Sequence, residues 1–268
     1  MINLTDCTFI IPIRIDSPDR AFNFEFVIKY LLDNFDTTII IKESDRESKV
    51  LNLLKNLIAQ TRYKHTKFIP VKYIFEQSDD PIFFRTRLLN EMLSQVTTPV
   101  TVNYDIDVFM NPQAYVDARD KIINENFDLI YPYFRGESQI RITNHECLVN
   151  GYHDDAIGLD DFNNWSSVCG HCAFFKTESY RSGYWENENF LSYGQEDRER
   201  MDRFQKLGYK VAWLDNYIYH IEHSRGPNSD TTNPQFTHNQ ELYTYLSSLD
   251  RQGLIDYYEG QEYLKKYL

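Results

Sequence analysis

The amino-acid sequence predicts an α/β fold in which a mostly parallel sheet is covered by helices on both faces. Strand and helix patterns alternate along the first half of the chain, and the strands are apolar runs without polar alternation, as in sheets buried on both sides. Of the 268 residues, 42% are hydrophobic, which is enough for a sizeable core. No linker or internal repeat interrupts the sequence, so we expect a single domain.

The elements of the first half follow from hydrophobic periodicity. Phe22, Phe26 and Tyr30 recur at helical spacing in "AFNFEFVIKYLLDNF", which predicts a helix. Pro81 stands where the first turn of a helix favours proline, so we expect "PIFFRTRLLNEMLSQV" to be helical from its first residue. The predicted strands are 7–13, 37–43, 68–75 and 99–105, and the predicted helices are 21–35, 46–60 and 81–96.

The alternation of strand and helix patterns is less regular in the second half of the chain. Residues 135–164 are polar with little apolar periodicity, which predicts a long loop that serves as a binding element or lid. The Gly- and Asn-containing stretch 181–190 is a second candidate for a segment that orders over a bound ligand. Strands are predicted at 127–134, 173–176, 209–214 and 217–223, and helices at 112–126, 196–207, 237–249 and 253–267.

Charge and composition exclude several functional classes. The formal net charge of -12 disfavours a nucleic-acid binder, because such a protein needs a basic face to displace counterions. No stretch approaches the length of a membrane span and the first residues do not form a signal peptide, so we expect a cytoplasmic protein, with peripheral membrane association left open. Four cysteines are too few for a disulfide scaffold.

The motif "CGHC" at 169–172 matches the redox pair of disulfide isomerases. Such a pair opens a helix in a small domain, whereas the residues that follow it here, "AFFK", have the pattern of a strand. We therefore interpret the two cysteines as buried thiols of a strand. His145, Cys147, Cys169 and His171 could instead hold a structural zinc ion, but their spacing fits no zinc motif.

Two aspartates, Asp105 and Asp107, follow the strand that ends in "VNY". Side chains at positions i and i+2 of a strand point to the same side, so the two carboxylates are expected to crowd one point at the end of the strand. Open parallel sheets bind ligands at the carboxyl ends of their strands. The pair therefore indicates either a divalent cation or two solvated turn residues.

Two further pairs of residues have candidate chemistry. His220 and His223 lie near the end of the last strand pattern, and imidazoles combine with carboxylates in Mn²⁺ or Zn²⁺ sites, although a histidine pair that caps a strand is the structural alternative. Glu196 and Asp197 open a helix, whose N-terminus stabilises the ionised carboxylate that a general base requires. Acidic residues are also routine in a first helical turn, so the second pair by itself does not decide a role.

Three arginines are candidates for phosphate contacts. Arg14 follows the first strand, where the base or the phosphates of a nucleotide would lie, and Arg85 and Arg87 lie on the helix that leads to Asp105. Arginine suits phosphate oxygens because its planar fork gives bidentate contacts. A solvated helix face is the alternative for the two helical arginines.

Five segments, in order over roughly residues 7–236, resemble the β1,4-galactosyltransferase family, which comprises metal-dependent glycosyltransferases of the GT-A fold. The segments are "FIIPIR", "FRTRLLN", "YDIDVFMNP", "GYWENENFLSYGQEDRERMDRFQKLGY" and "HIEHSRGPNSDTTNPQF". The resemblance implies one nucleotide-diphospho-sugar transferase domain over residues 1–268. Its expected parts are a nucleotide-binding half (about 1–111), an acceptor and metal half (about 112–236) and C-terminal helices (237–268).

The resemblance also implies roles for individual residues. Asp107 and His223 would be metal ligands, and His220 stands where animal members of the family often have methionine. Asp197 occupies the family's base position, and Tyr193 replaces a tryptophan that shapes donor and acceptor binding. The other implied contacts are Asp105 with the ribose, Pro12, Arg14 and Arg85 with the nucleotide, Gly170 with the sugar, and Glu196 with the sugar and acceptor.

The function implied by the resemblance is that of an inverting glycosyltransferase that requires Mn²⁺ or another divalent cation. It would move galactose or N-acetylgalactosamine from a UDP-sugar to a hydroxyl of a glycan acceptor, as in polysaccharide biosynthesis. One alternative is a metal-dependent sugar nucleotidyltransferase, which the glycine-free turn "PIRIDSPDR" disfavours. The other is a non-catalytic nucleotide-sugar-binding module, which the intact carboxylates at 105, 107, 196 and 197 disfavour.

Overall fold

A seven-stranded sheet forms the centre of the molecule. The computed structural model describes residues 1–65, 69–149 and 165–268. The strands of the described chain are β1 (Ile2–Ile13), β2 (Phe35–Asp45), β3 (Val71–Gln77), β4 (Val100–Tyr104), β5 (Val108–Phe109), β6 (Leu129–Tyr131), β7 (Gly136–Ile142), β8 (Trp165–Ser167), β9 (Cys172–Lys176), β10 (Val211–Trp213) and β11 (Ile218–Ile221). The central sheet has the order β10-β6-β9-β4-β1-β2-β3.

The central sheet is parallel except at one strand. β9 runs antiparallel to both of its neighbours, β4 and β6, and the other neighbouring strands pair in parallel. Residues 7–13 of β1 are all buried, as expected for a strand covered on both faces. A smaller sheet of order β5-β11-β7-β8 contains a parallel pair, β11 with β7, and two antiparallel pairs. The predicted α/β class and mostly parallel sheet are therefore confirmed.

Helices flank the central sheet, and local signals define where several of them begin. The first helix is capped by Ser17, whose hydroxyl accepts from the N–H of Arg20 at 3.2 Å. None of the described helices is both long and apolar enough to cross a membrane. The helices are α1 (Pro18–Asn34), α2 (Val50–Ile58), α3 (Arg85–Leu93), α4 (Pro112–Glu125), α5 (Glu146–Val149), α6 (Thr177–Ser182), α7 (Glu196–Leu207), α8 (Phe236–Ser248) and α9 (Arg251–Glu259), with 3-10 turns at Arg62–His65 and Glu262–Lys266.

The predicted start of the third helix at Pro81 is wrong. α3 begins four residues later, at Arg85. The carbonyl oxygens of Pro81 and Ile82 accept hydrogen bonds from the guanidinium of Arg14, at 3.2 and 3.3 Å, and the side chain of Asp80 accepts from the N–H of Ile82. These side-chain contacts hold the stretch as a loop beside the end of β1.

The polar segment 135–164 is only partly a loop. Residues 136–142 form β7, which pairs in parallel with β11, and residues 150–164 lie outside the described part of the chain. Hydrophobic periodicity did not predict this strand because its buried positions include the polar side chains of Ser138 and Gln139. The apolar pattern that marks the other buried strands is therefore missing from this one.

The stretch 181–190 is anchored in the interior, which argues against a lid there. Glu186 and Asn187 are each 1% exposed. The amide side chain of Asn90 bonds the main chain of Glu186 through both its N–H and its oxygen, and the amide of Asn187 donates to the hydroxyl of Tyr258 at 3.1 Å. The polar residues that suggested a mobile loop instead satisfy one another inside the protein.

Candidate active site

A polar cleft with a volume of about 410 Å³ lies at the carboxyl ends of β1 and β4. The N-terminus of α7 and the residues at the end of β11 reach the same cleft, as expected for an open sheet whose ligand edge lies outside the carboxyl ends of its strands. Of the candidate residues, Arg87 does not line the cleft, because its guanidinium is bonded to Glu76 and Glu91. All the others line it, although they come from distant parts of the chain. They are Pro12, Arg14, Arg85, Asp105, Asp107, Gly170, Tyr193, Glu196, Asp197, His220 and His223.

Asp107, His220 and His223 form a group that could hold a metal ion. One ligand atom from each lies within 4.8 Å of the others. Nε2 of His223 is 3.0 Å from Oδ2 of Asp107, and Nε2 of His220 is 3.8 Å from the same oxygen. Within residues 1–65, 69–149 and 165–268, this is the one such group of three or more.

The partners of the two imidazoles fit a metal site. Nδ1 of His220 faces Oε1 of Glu222 at 2.9 Å, and Nδ1 of His223 faces the carbonyl oxygen of Ser224 at 2.8 Å. Because an ionised carboxylate and a carbonyl only accept hydrogen bonds, both Nδ1 atoms carry the hydrogen. Nε2 is then the ring atom that each histidine turns toward Asp107, and one oxygen with two nitrogen ligands is a set that suits Mn²⁺ or Zn²⁺.

Electrostatics keep Asp107 ionised. Burial raises the pKa of its carboxyl, but the neighbouring His220 and His223 outweigh that effect and hold the pKa below its ordinary value. Burial lowers the pKa of His223, yet the hydrogen bond to Asp107 leaves it raised overall. The hydrogen bond therefore favours the charged forms of both groups, and a cation bound between them would take the place of the imidazole proton.

The acidic pair lies across the cleft at the N-terminus of α7. The carboxylate of Asp197 accepts a hydrogen bond from Arg200, which is 1% exposed, and its Oδ1 lies 3.5 Å from Nη1 of Arg85. The other oxygen of Asp197, Oδ2, points to Gly170, where a Cβ atom would lie only 2.8 Å from it. One oxygen is thus held by arginine, and the second has room only because residue 170 has no side chain.

The two neighbouring carboxyls have opposite pKa shifts. Burial and the adjacent Asp197 raise the pKa of Glu196 to about 7. Burial also raises the pKa of Asp197, but Arg85 and Arg200 outweigh it and leave the pKa below its ordinary value. At neutral pH the pair therefore holds its negative charge mainly on Asp197.

Arg85 connects the acidic pair with Asp105. Nη2 of Arg85 bonds Oδ1 of Asp105 at 2.8 Å, and Nη1 lies 3.6 Å from Glu196 and 3.5 Å from Asp197. Nη1 is buried and, within the described residues, makes no hydrogen bond. A buried N–H donor without a hydrogen-bond partner at a cleft can donate to an oxygen atom of a bound ligand.

Comparison with known proteins gives a fold and no closer relationship. No protein-family model matches the chain, and no curated protein matches its sequence. Mannosyltransferase PcManGT from Pyrobaculum calidifontis, solved with GDP-Man and Mn²⁺, is similar with a TM-score of 0.52 and 11% identity over 96% of this chain and 76% of that chain. S. aureus TarS is similar with a TM-score of 0.55 and 12% identity over 92% of this chain and 41% of that chain. TarS 1-349 in complex with UDP-GlcNAc is similar with a TM-score of 0.53 and 10% identity over 92% of this chain and 68% of that chain.

The chain has the GT-A fold. It spans 41% of the first TarS chain and is close to 10% identical to all three structures, so the likeness extends to the fold alone. A specific relationship to the β1,4-galactosyltransferase family is not among these findings and stays an interpretation of the sequence.

Arg14 lines the cleft, but its guanidinium is largely engaged inside the protein. Its guanidinium donates to the carbonyl oxygens of Ser44, Pro81 and Ile82, so most of its hydrogen-bonding capacity is used inside the protein. Its flat group lies 5.4 Å from the ring centroid of Phe83. Arg14 therefore fixes the loop and the aromatic wall of the cleft, and offers a ligand a flat surface rather than a free fork.

Several lining residues were missed by sequence reasoning. Phe83 lines the cleft beside Arg14, and Arg20 lies 3.5 Å from His223. His171 has a left-handed backbone (φ 56°), and its ring centroid is 5.8 Å from that of His220. The quoted segments "FRTRLLN" and "CGHC" flank or contain two of these residues, but neither pattern shows which side chains face a ligand.

The interpretation of the two "CGHC" cysteines as buried strand thiols holds for Cys172 only. Both are free, and Cys172 is buried in β9, whereas Cys169 precedes β9 and is half-buried at the cleft. Burial raises the pKa of Cys169 to about 12 and that of Cys172 well above its ordinary value. A redox pair needs a stabilised thiolate, so these shifts argue against a redox role.

Proposed function

We propose that the chain is a metal-dependent inverting glycosyltransferase that transfers a sugar from a UDP-sugar to a hydroxyl of a glycan acceptor. The observation that carries this proposal is the presence, in one cleft of a GT-A fold, of a metal-type triad and a separate ionised carboxylate, Asp197. Solved structures of this fold include complexes with GDP-Man and Mn²⁺ and with UDP-GlcNAc.

The triad would hold the cation through Oδ2 of Asp107 and the Nε2 atoms of His220 and His223. A divalent cation bound there supplies Lewis-acid stabilisation of charge on a departing diphosphate. The protein's own contribution is to fix the ligand set before the donor arrives, since both Nδ1 atoms are already hydrogen-bonded to acceptors. Asp105 and Arg85 extend the polar wall from the triad to the acidic pair.

Asp197 is the residue that we assign as the general base. Its charge is maintained by Arg85 and Arg200, and its Oδ2 is the oxygen left for an acceptor hydroxyl beside Gly170. Removal of the hydroxyl proton as the oxygen attacks the anomeric carbon from the face opposite the leaving group gives inversion. Orientation and proton transfer together lower the barrier.

Glu196 is the rival for this role, because a base whose pKa lies near 7 has a favourable driving force for proton transfer. In its protonated form, however, Glu196 is a hydrogen-bond donor, which suits contact with a hydroxyl of the sugar or acceptor. We therefore assign Glu196 to binding and Asp197 to proton transfer, and the two assignments are separated by the variants described in the Discussion.

The identity of the donor rests on the sequence resemblance. Uridine as the base and galactose or N-acetylgalactosamine as the sugar follow from it, with Pro12 and the Arg14 and Phe83 wall as the nucleotide side of the cleft. The same resemblance assigns Gly170 and Tyr193, which also line the cleft, to the sugar and acceptor side. Because Tyr193 replaces a tryptophan of the family, the acceptor is left at the level of a glycan.

A nucleotide-sugar screen tests the proposal. Thermal unfolding is measured with UDP, GDP, UDP-Gal, UDP-GalNAc, UDP-GlcNAc and GDP-Man, each with and without Mn²⁺. We expect stabilisation by uridine ligands only with Mn²⁺, of about 2.7 kcal/mol when the ligand is at about 100 times its Kd. Equal stabilisation without metal would refute the metal role, and stabilisation by GDP-Man alone would refute the UDP assignment. Failure to release UDP with any glycan acceptor would favour the non-catalytic alternative.

A further inference from the structure

Glu222 links the metal-type triad to β7 in the smaller sheet. Its Oε1 lies 2.9 Å from Nδ1 of His220 and accepts from Nε of Arg141 at 2.6 Å, while its Oε2 accepts from Nη2 of Arg141 at 2.5 Å. The main chain is fixed as well, because the N–H of Glu222 donates to the carbonyl of Ile142 and its own carbonyl oxygen lies 2.9 Å from Nε2 of His145. The carboxylate is therefore held in one orientation toward His220.

This contact decides which nitrogen of His220 holds the proton. Both oxygens of Glu222 accept hydrogen bonds from the guanidinium of Arg141, so the carboxylate meets Nδ1 of His220 as an acceptor. This contact selects the tautomer of His220 that has its hydrogen on Nδ1 and a lone pair on Nε2. That lone pair faces Oδ2 of Asp107 at 3.8 Å, and two electron-pair donors that face each other in this way favour a cation between them.

We propose that Glu222 is a positioning residue that holds His220 in the tautomer required for metal binding, and that Arg141 in turn fixes Glu222. The inference rests on the proposed metal site and adds to it an acidic residue that does not itself touch the ion. Loss of such an outer carboxylate typically weakens metal binding by about 10- to 100-fold. The family resemblance does not imply this contact between Glu222 and His220. Animal members of the family often have methionine at the position of His220, and methionine has no N–H to orient.

Variants of Glu222 in the full chain test the inference. MnCl₂ is titrated into the protein with and without UDP, and free Mn²⁺ is followed by electron paramagnetic resonance. We expect Glu222→Ala to bind Mn²⁺ about 10- to 100-fold more weakly. Glu222→Gln should lose less, because its amide oxygen can still accept from Nδ1. Long-range ¹H–¹⁵N spectra of the histidines, recorded without metal, should show His220 protonated on Nδ1 in the wild type and redistributed in Glu222→Ala.

The chain offers a matched control for the loss of a two-bond ion pair. Glu76 accepts from Arg87 at 2.5 and 2.9 Å and does not line the cleft, so Glu76→Gln should bind Mn²⁺ as the wild type does. Wild-type Mn²⁺ affinity and an unchanged His220 tautomer in Glu222→Ala would overturn the inference. If Glu222→Ala does not fold, the same two measurements on Glu222→Gln decide it. If the wild type itself does not bind Mn²⁺, the proposed metal site fails and the metal role of Glu222 fails with it, whereas the tautomer spectra still report whether Glu222 orients His220.

Discussion

Replacement of Gly170 by alanine should disable the proposed base without removing it. A Cβ atom on residue 170 would lie 2.8 Å from Oδ2 of Asp197, and ordinary contact begins at 3.4 Å, so the carboxylate must move by the difference, 0.6 Å. Asp197 cannot yield freely, because its hydrogen-bond partner Arg200 is 1% exposed and also bonds the buried Glu186 at 2.6 Å. A displacement of about 1 Å at a reacting group can cost about 10²-fold in rate, so we expect turnover to fall by roughly 10- to 100-fold.

The backbone strain of this substitution has a control in the same region. Gly170 has a φ of +97°, where a side chain costs about 1–2 kcal/mol. Gly208, at the end of α7, has a φ of +92° with nothing within 4 Å of its added Cβ, so Gly208→Ala has comparable strain and no clash. Urea unfolding should therefore show a loss of about 1–2 kcal/mol in Gly208→Ala from strain alone, and at least that loss in Gly170→Ala, where the clash with Asp197 is added. Release of UDP in the presence of acceptor measures turnover, and calorimetry with UDP and Mn²⁺ measures donor-site binding.

The expected result is a selective loss of turnover in Gly170→Ala. UDP binding should remain near the wild-type value in both variants, since the triad and the wall formed by Arg14 and Phe83 do not contact the new methyl group. Turnover of Gly208→Ala should follow the wild type. If Gly170→Ala turns over as fast as Gly208→Ala, the position of Asp197 does not limit the reaction and our assignment of the base is wrong.

Three further predictions concern the triad and the acidic pair. Asp107→Ala and His223→Ala should each abolish metal-dependent UDP binding in calorimetry, whereas His238→Ala, on α8 and outside the cleft, should not; wild-type affinity in either triad variant contradicts the metal assignment. Asp197→Asn should retain UDP binding but transfer sugar about 10²- to 10⁴-fold more slowly, with Glu196→Gln losing mainly binding; the reverse outcome makes Glu196 the base. A Glu196 pKa raised from 4.5 to about 7 corresponds to about 3 kcal/mol of folding stability, which is fully present below pH 4.5 and is lost as the pH rises through 7. As the pH rises over this range, the free energy of unfolding of Glu196→Gln should therefore increase relative to that of the wild type, and an unchanged difference would refute the shift.

The sequence by itself determined the class of fold and the position of one carboxylate pair. Continuous apolar strands that alternate with helices specify a parallel sheet covered on both faces, because burial of a strand is encoded in its own residues. Asp105 and Asp107 directly follow β4, so the predicted end of that strand locates both at the ligand edge of the sheet without any knowledge of other segments. Where local signals were misleading, at Pro81 and in 136–142, contacts with remote residues had replaced the local preference: the guanidinium of Arg14 in the first case and pairing with β11 in the second.

Tertiary structure alone decided how the candidate site is assembled. His223 lies 116 residues from Asp107 in the chain, and no local pattern states that their side chains meet at 3.0 Å. The adjacent acids Glu196 and Asp197 are indistinguishable by sequence position, yet packing against Arg85 and Arg200 drives their pKa values apart. Periodicity records whether a residue is buried, but the direction of a charged side chain depends on which distant groups the sheet register places beside it. Electrostatic energy depends on those distances, and for that reason the chemistry of the cleft becomes readable only in the folded chain.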